Sequence, residues 1–378
     1  MGDQPVRAVD NRDTRAEGVR MATTARRDLE ETREVLAGWL RDRHGATDVE
    51  ISPLTSPKAG YSNETLYLHL AWTPPDGPRR AEDLVLRIEP TGHQLFVTPD
   101  AVRQARIMQA LAPHPGVPVP TIWYIEPDPT VLGSPFYLMG RVDGRVPGDV
   151  PSWHAEGWTV ELSPAQRSVM HDNALAALVA LHRIDVHDGF DFLTPEGTGT
   201  ALDRYLAGLR DWHTWAQPSL RWEPETVAAA VDHLLRERPD DSSAGIVWGD
   251  ARVGNISFGA EESVQAMFDW ETATVGPPGI DLGWWLMFED FLCEAQRLTR
   301  LEGVPDRAAI IARYQELSGR PVEHIDYYEL LAATVMTLIN SRLGVLLMTS
   351  GGLPERVASA YARRTIRMIR RGLDRVAA

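Results

Sequence analysis

Two carboxylates and a carboxamide stand close together in the second half of the chain. Asp250 and Asn255 lie in the segment 247–255, which follows a short apolar stretch, and Asp269 ends the next apolar stretch. Two short strands joined in this way can bring all three side chains to the mouth of one cleft. Carboxylate and amide oxygens are hard ligands that suit Mg²⁺, and a carboxylate can also accept a proton. The pattern therefore predicts magnesium and phosphate chemistry.

A cation and a small-residue loop could complement these acidic groups. Arg87 lies within the apolar segment 84–88, where a buried guanidinium would need an anion partner such as phosphate. If its face of the strand is solvated, or paired with a protein carboxylate, Arg87 needs no ligand. Around Gly60, Tyr61 and Ser62, backbone N–H groups could approach phosphate closely, although most such segments are ordinary turns.

Short strand patterns before residue 141 predict a small α+β lobe. Five segments have strand character, and a helix follows the third of them. The strands are expected at residues 49–54, 64–72, 83–89, 121–126 and 136–139, with helices at residues 25–44 and 98–112. A Pro- and Gly-containing turn at residues 73–77 predicts that the second and third strands form an antiparallel hairpin.

Long helical patterns dominate after a hinge-like segment at residues 140–144. Helices are expected at residues 164–183, 201–215 and 224–238, short strands at 245–248, 255–258 and 264–268, and mainly helix from residue 282. The resulting division is a mobile tail over residues 1–25, an N-terminal lobe over 26–141 and a C-terminal catalytic and substrate-binding lobe over 142–378.

Composition excludes several classes of protein. The net charge of −15 disfavours a nucleic-acid phosphate track and an anionic membrane surface. With Cys293 as the single cysteine, no disulfide framework is possible within one chain. The N-terminus lacks the apolar segment of a secretory signal, and the chain has no continuous run of about 18 apolar residues. We therefore expect a cytoplasmic protein without nucleic-acid or membrane partners; its oligomeric state stays open.

The order of these features resembles the aminoglycoside phosphotransferase and choline-kinase-like family, most closely the subgroup found fused to acyl-CoA dehydrogenases. The segments that carry the resemblance are residues 85–87, 248–255 and 269–271. None of these motifs is specific by itself, but the combination of the three at this spacing is specific. The similarity extends from about residue 30 to about residue 290. The resemblance implies an α+β, bilobal protein-kinase-like fold: a five-stranded antiparallel sheet plus helix in the small lobe, and a larger, mostly helical second lobe.

The resemblance also implies a role for each residue. Asp250 would accept or orient the proton of the substrate hydroxyl, and Arg252 would neutralise the migrating phosphoryl group. Asn255 and Asp269 would bind Mg²⁺ at the phosphates of ATP, and Arg87 would bind the α- and β-phosphates. The remaining residues match a phosphate-covering loop and an adenine-bordering hinge: Gly60, Tyr61, Ser62, Met139, Gly140 and Arg141.

Three further positions bear on the resemblance: one matches the family pattern and two differ from it. Asp281 matches an aspartate that is usually architectural, and we expect it to hold the catalytic loop. Trp248 replaces the usual His, and an indole can donate one hydrogen bond but cannot accept one. Gln104 replaces the Glu that normally pairs with the strand cation, so Arg87 would lose a neutralising partner.

We therefore predict an ATP- and Mg²⁺-dependent kinase that transfers the γ-phosphoryl group to a hydroxyl of a small molecule. The acceptor is either an aminoglycoside-type compound or a hydroxyacyl-type metabolite or its coenzyme A ester. Glu271, Glu289 and Asp290 are candidate acidic groups for a cationic acceptor. The alternative is a catalytically degenerate, kinase-like binding protein, which Trp248 and Gln104 motivate. A metal-dependent phosphohydrolase is disfavoured because the sequence lacks clustered metal ligands.

Overall fold

An antiparallel sheet forms the N-terminal part of this computed structural model, which describes residues 27–56, 64–90, 95–97, 99–349 and 352–377. The strands are β1 (Thr47–Ile51), β2 (Glu64–Thr73), β3 (Arg80–Ile88), β4 (Ile122–Glu126) and β5 (Phe136–Gly140). They lie side by side in the order β1-β2-β3-β5-β4, and every neighbouring pair is antiparallel. The predicted five-stranded sheet is confirmed. The predicted tail at residues 1–25 lies outside the described residues.

Two helices cover this sheet, α1 (Leu29–His44) and α2 (Ala101–Leu111). α1 begins after Asp28, whose side chain accepts the N–H groups of the first turn, and ends at Gly45 in a left-handed conformation. Its buried Trp39 packs with the leucines of β2 and β3 in one apolar core. α2 follows the third strand, as predicted, and its buried face includes Gln104.

The rest of the described chain is mainly helical. Its helices are α3 (Trp158–Glu161), α4 (Pro164–His182), α5 (Ala201–Ala216), α6 (Pro224–Arg236), α7 (Gly279–Gln296), α8 (Arg307–Ser318), α9 (Ile325–Thr349), α10 (Glu355–Ala358) and α11 (Ala360–Val376). Among the described residues, α9 alone is long and apolar enough to cross a membrane by length and composition. In its most apolar window, 78% of the residues are buried inside the molecule, where α9 packs against α6, α7 and α11.

Two pairs of short strands stand between α6 and α7. β6 (Gly245–Val247) pairs with β9 (Thr274–Gly276), and β7 (Ile256–Phe258) pairs with β8 (Val264–Met267). The sequence predicted the first three in chain order but missed β9, in which Val275 is the single apolar residue. Because β6 pairs with β9, the loop after β6 and the loop after β8 lie together.

Several bonds connect the sheet to the helical part beside these loops. Arg103 of α2 donates through Nη2 to the carbonyl of Ala273 at 2.8 Å. The N–H of Met267 donates to the carbonyl of Pro118 at 2.8 Å. The loops that follow β6 and β8 thus form one wall of the cleft between the sheet and the helices. The division of the chain at residue 141 stays a prediction.

Candidate active site

A buried carboxylate of α7 holds the loop that follows β6. Asp281 is fully buried, and its two oxygens accept the backbone N–H groups of Trp248 at 2.7 Å and Gly249 at 2.8 Å. His182 Nε2 lies 3.0 Å from the same carboxylate. Gly249 has a φ of 88°, and a Cβ there would come within 2.6 Å of the carbonyl oxygen of Thr272. The structure therefore confirms that Asp281 holds the loop.

Asp250 follows this glycine and stands at the centre of a hydrogen-bonded group. Its Oδ1 accepts from Trp284 Nε1 at 2.8 Å, and its Oδ2 accepts from Asn255 Nδ2 at 2.7 Å. Arg252 Nε donates to the two oxygens at 2.9 and 3.0 Å. The side chain is 22% exposed, so an acceptor can reach it from the cleft. The three donors fix the orientation of this carboxylate.

Arg252 lies between two carboxylates. Its Nη1 donates to Asp149 Oδ2 at 2.5 Å while its Nε binds Asp250. The guanidinium also lies over the ring of Phe288, with Cζ 4.8 Å from the ring centre. Burial opposes its positive charge, but the two carboxylates outweigh burial and keep the pKa of Arg252 above its ordinary value. In the structure Arg252 positions Asp250; its implied contact with the phosphoryl group stays a prediction.

Asn255 and Asp269 come together at one end of the β7–β8 hairpin. Asn255 belongs to the 3-10 turn Val253–Asn255 rather than to the predicted strand, which begins one residue later. Its carbonyl oxygen accepts the N–H of Phe268 at 2.9 Å, which places the next residue, Asp269, beside it. Its side chain donates through Nδ2 to Asp250, so the side-chain oxygen is the atom left for a cation.

Asp269 has the properties of a cation ligand. Its backbone is left-handed, with a φ of 60°, which aspartate tolerates better than most residues. Its Oδ1 is buried without a hydrogen-bond partner among the described residues. Burial raises the pKa of Asp269; Arg87 opposes this rise and Asp250 adds to it. A bound cation would stabilise the charged form.

These two oxygens suit Mg²⁺, which commonly takes one or two protein ligands and completes its shell with phosphate and water. In the part of the chain that the structure describes, no group of three His, Cys, Asp or Glu side chains could hold a metal by itself. Asn255 and Asp269 would therefore hold Mg²⁺ together with a phosphate ligand, as the resemblance implied.

Arg87 faces the same cleft from β3. Its Nη1 donates to Thr65 Oγ1 at 3.0 Å, and its Nη2 lies 3.7 Å from Asp269 Oδ1. Its Nε is buried without a hydrogen-bond partner among the described residues. Gln104 accepts from the hydroxyl of Tyr137 at 3.4 Å, and Tyr137 in turn interacts with Arg87. The predicted strand cation is thus adjacent to the predicted metal ligand.

The predicted hinge lies at the end of β5. Gly140 donates its N–H to Thr121 at 2.8 Å, and Arg141 donates its N–H to the carbonyl of Asp83 at 2.8 Å. Met139 is partly buried and Arg141 is exposed. These bonds fix the backbone where the sheet meets the helical part. The phosphate-covering loop predicted at Gly60, Tyr61 and Ser62 lies outside the described residues.

The structure explains how Trp248 takes the place of the His that is usual at this position. It is fully buried, and its Nε1 donates to the carbonyl of Phe268 at 2.8 Å. Its ring packs against Trp270, with 5.5 Å between ring centres. The indole therefore connects the catalytic loop to the segment carrying Asp269 with the one hydrogen bond that it can donate.

The sequence analysis did not identify two residues of the site, Trp284 and Asp149. Trp284 lies three residues after Asp281 on α7, so helical spacing alone would have put both on the side that faces the catalytic loop. Asp149 comes from the irregular segment after the hinge, where no periodicity marks it. Its pairing with Arg252 depends on tertiary structure.

The candidate acidic groups for a cationic acceptor are either buried or in contact with other residues of the protein. Glu289 is buried, with its Oε2 3.5 Å from Nε2 of His154. Asp290 accepts from Arg300 Nη2 at 3.0 Å. Glu271 also has interactions within the protein. Glu289 Oε2 nevertheless has no hydrogen-bond partner among the described residues, but its burial keeps it away from a ligand in the cleft.

Comparison with known proteins agrees with this geometry. A model of the phosphotransferase enzyme family matches residues 54–320. Human acyl-CoA dehydrogenase family member 11 is 29% identical over 235 residues, which cover 61% of this chain and 27% of the relative. The chain thus spans about a quarter of the length of the curated relatives it matches.

Solved structures show the same fold. A protein from Ralstonia eutropha assigned as an aminoglycoside phosphotransferase has a TM-score of 0.67 and 23% identity, covering 90% of this chain and 98% of its own. A thermostable variant of aminoglycoside phosphotransferase APH(4)-Ia, in ternary complex with ADP and hygromycin B, has a TM-score of 0.53 and 17% identity over 89% of this chain and 98% of its own. The predicted kinase-like fold is therefore confirmed.

Proposed function

The chain belongs to the phosphotransferase enzyme family, and from this premise we propose that it transfers the γ-phosphoryl group of ATP to a hydroxyl of a small molecule in an Mg²⁺-dependent reaction. The observation that carries the proposal is the Asp250–Asn255–Asp269 group. One carboxylate is fixed by three donors, and a second has a buried oxygen without a hydrogen-bond partner among the described residues. The first suits an acceptor hydroxyl, and the second suits a cation.

Asp250 would orient the acceptor hydroxyl and take its proton. As the hydroxyl oxygen forms its bond to the γ-phosphorus, the bond from that phosphorus to the ADP oxygen breaks, and the hydroxyl proton passes to the carboxylate. Because little proton transfer is needed early in a loose phosphoryl-transfer reaction, the carboxylate acts first by positioning the hydroxyl. Arg252, Asn255 and Trp284 keep the carboxylate in place throughout.

The other residues would position the nucleotide. Asn255 and Asp269 would hold Mg²⁺, which when bound neutralises charge on the phosphates. Arg87 would bind phosphate oxygens across the cleft, where its fork-shaped guanidinium offers two parallel donors. Its Nε, buried and without a hydrogen-bond partner among the described residues, supports such a ligand.

For the acceptor we propose a hydroxyacyl-type compound, free or as its coenzyme A ester. An aminoglycoside is a polycation and needs several free carboxylates. Here Glu289 is buried beside His154, and Asp290 is paired with Arg300. The relatives named as acyl-CoA dehydrogenase family members support an acyl compound as well.

A phosphotransfer panel tests this proposal. Purified protein would be incubated with γ-labelled ATP and Mg²⁺, and separately with GTP, against hydroxy fatty acids, their coenzyme A esters and aminoglycosides including hygromycin B. We expect labelled product with at least one hydroxyacyl compound at a rate above ATP hydrolysis alone. Transfer to aminoglycosides only would overturn the acceptor proposal. Nucleotide binding without transfer to any compound would favour the kinase-like binding protein instead.

A further inference from the structure

The segment that follows the hinge is bound to the hairpin of β7 and β8. Arg145 and Phe258 of β7 exchange both of their backbone hydrogen bonds, at 2.8 and 2.9 Å. Three residues after Arg145, the carbonyl of Gly148 accepts the N–H of Trp153 at 2.7 Å. Asp149 directly follows Gly148, so its backbone has a defined position beside the catalytic loop.

Asp149 and Asp250 bind different nitrogens of one guanidinium. Arg252 Nη1 donates to Asp149 Oδ2 at 2.5 Å, and Nε donates to the two oxygens of Asp250 at 2.9 and 3.0 Å. The backbone at Gly254 passes close to this pair, because a Cβ there would overlap Arg252 Nη1 and come within 2.6 Å of Asp149 Oδ1. The ring of Phe288 lies against the guanidinium, 4.8 Å from Cζ to the ring centre. The guanidinium is therefore confined in the orientation that directs Nε to Asp250.

This orientation differs from the one that an isolated arginine–carboxylate pair prefers. The planar fork of a guanidinium offers two parallel N–H groups, which match the two oxygens of a carboxylate. Here Asp149 takes Nη1, so Arg252 presents Nε alone to Asp250. Without Asp149, Asp250 would be the carboxylate that the guanidinium contacts, and the guanidinium could turn to bind it through two nitrogens.

The acceptor sites of Asp250 show the consequence of such a rotation. A carboxylate has about four lone-pair sites for hydrogen bonds. Trp284 Nε1 and Asn255 Nδ2 take one each, and Arg252 Nε takes at least one more. The substrate hydroxyl needs a remaining site on Asp250, whose side chain is 22% exposed at the cleft. A second nitrogen from Arg252 would occupy that site.

We propose that Asp149 is a positioning residue for phosphoryl transfer: it holds Nη1 of Arg252 away from Asp250 and so keeps one acceptor site of the catalytic carboxylate open for the substrate hydroxyl. This inference rests on the proposed function. Asp149 needs no contact with either substrate, because it acts through the guanidinium of Arg252.

Removing the carboxylate tests the inference by kinetics. Asp149→Ala takes away both oxygens that can hold Nη1. With the best acceptor from the phosphotransfer panel, we expect kcat to fall about 10- to 100-fold, since small misplacements of a catalytic group cost up to about that much. KM for ATP should change by less than about twofold, because Asp149 is not a proposed ligand of the nucleotide or of Mg²⁺. An unchanged kcat would overturn the inference.

Two further substitutions show whether the loss comes from the contact with Nη1. Asp149→Asn keeps an oxygen that can accept from Nη1, so its kcat should exceed that of Asp149→Ala by at least about threefold. Asp172→Ala breaks a partly exposed ion pair with Arg313 that joins α4 to α8 and includes no residue of the site. This control should keep kcat within about twofold of wild type. A fall as large as that of Asp149→Ala would show that kcat only follows stability.

A double-mutant cycle shows whether Asp149 acts through Arg252. Arg252→Gln removes the guanidinium that Asp149 holds. In that background, Asp149→Ala should lower kcat by no more than about twofold, because two residues that act as a unit have non-additive effects. If Asp149→Ala lowered kcat by the same factor with and without the guanidinium, Asp149 would act independently of Arg252 and the inference would fail.

Crystal structures of the wild type and of Asp149→Ala give a readout that does not depend on turnover. We expect the guanidinium to bind Asp250 through Nε in the wild type and through two nitrogens in the variant. An unchanged guanidinium would overturn the inference even if kcat fell. A wild-type protein that transfers phosphate to no compound would contradict the proposed function, whereas the two structures would still decide whether Asp149 sets this orientation. Thermal melting would confirm folding; if Asp149→Ala does not fold, Asp149→Leu, which fills the same space without an acceptor, takes its place.

Discussion

The two walls of the candidate cleft differ in how completely the protein itself satisfies their charged groups. On the helical side, Asp250 has three donors, and Asp281 holds the loop through two backbone N–H groups. On the sheet side, Arg87 donates to Thr65, interacts with Tyr137 and lies 3.7 Å from Asp269, while its Nε is buried without a hydrogen-bond partner in the described part of the chain.

This difference indicates which part of the site is preorganised. A catalytic group held by several donors needs no rearrangement during reaction, and such preorganisation is a large source of catalysis. A buried cation with unfilled hydrogen-bonding capacity is costly and is stabilised when an anion arrives. We infer that the side chains of the helical wall are already positioned for the reaction. Bound nucleotide would supply the hydrogen-bond partner that the sheet wall lacks.

Replacing Asp269 should have the largest effect on the sheet-facing half of the site. Asp269→Asn removes the charge of one of two proposed metal ligands and also a partner of Arg87. We expect phosphotransfer to fall by about 10²-fold or more, since electrostatic stabilisation at such positions is worth that much. Calorimetric titration of ATP with and without Mg²⁺ should show that Mg²⁺ no longer strengthens nucleotide binding.

Glu261→Gln supplies the matched control for this experiment. Glu261 is exposed in the connection between β7 and β8, and its substitution should change activity by no more than about twofold. If Asp269→Asn retained both its rate and its Mg²⁺-dependent binding, Asp269 would not be a metal ligand, and the contrast between the two walls would lose its basis.

Asp281→Asn examines the preorganised wall through stability. The amide can accept only through one oxygen, so one N–H donor of the loop or His182 would lose its acceptor. Breaking one member of such a buried network costs about 2–4 kcal/mol. Urea denaturation should detect this loss, and Asp374→Asn on the exposed face of α11 should stay within about 0.5 kcal/mol of wild type. If Asp281→Asn also lost less than about 0.5 kcal/mol of stability, the loop would not be held by this carboxylate.

Gln104→Glu should have the smallest effect of these substitutions. It tests whether a carboxylate at residue 104 can preorganise the sheet wall as well. A carboxylate at this position, next to Tyr137, would orient the Arg87 guanidinium before nucleotide binds. We expect ADP affinity to rise about threefold, which is within the range of a single added charge partner. Gln104→Met, which adds no charge, should give no increase. An equal change in both variants would mean that residue 104 acts only through packing.

Local patterns in the sequence predicted much of the fold and of the site. Five short segments of strand character predicted the five strands, and the spacing of Asp250, Asn255 and Asp269 predicted that they meet. These features depend on neighbours in sequence. Asp281 was predicted as well, because its position in the family pattern indicated its architectural role.

Features that depend on distant contacts could not be predicted in this way. Asp149 reaches Arg252 across 103 residues of sequence, and no local pattern marks it. The same pairing gives Arg252 a positioning role that its place beside Asp250 did not indicate. The sequence also could not show that Glu289 is buried or that Asp290 pairs with Arg300. In strand β9 Val275 is the single apolar residue, so no apolar segment marks this strand in the sequence.

The phosphotransfer rate of Asp250→Asn tests the central claim most directly. The substitution keeps the size of the side chain and an oxygen that can accept a hydrogen bond, but removes the charge and the capacity to take a proton. With the best acceptor from the panel, we predict that the single-turnover rate falls by about 10²–10⁴-fold. Affinity for Mg²⁺ and ADP, measured on the same preparation, should change by less than about threefold, because Asp250 is not a proposed ligand of either. A rate equal to that of wild type would contradict the account, whatever the other variants show.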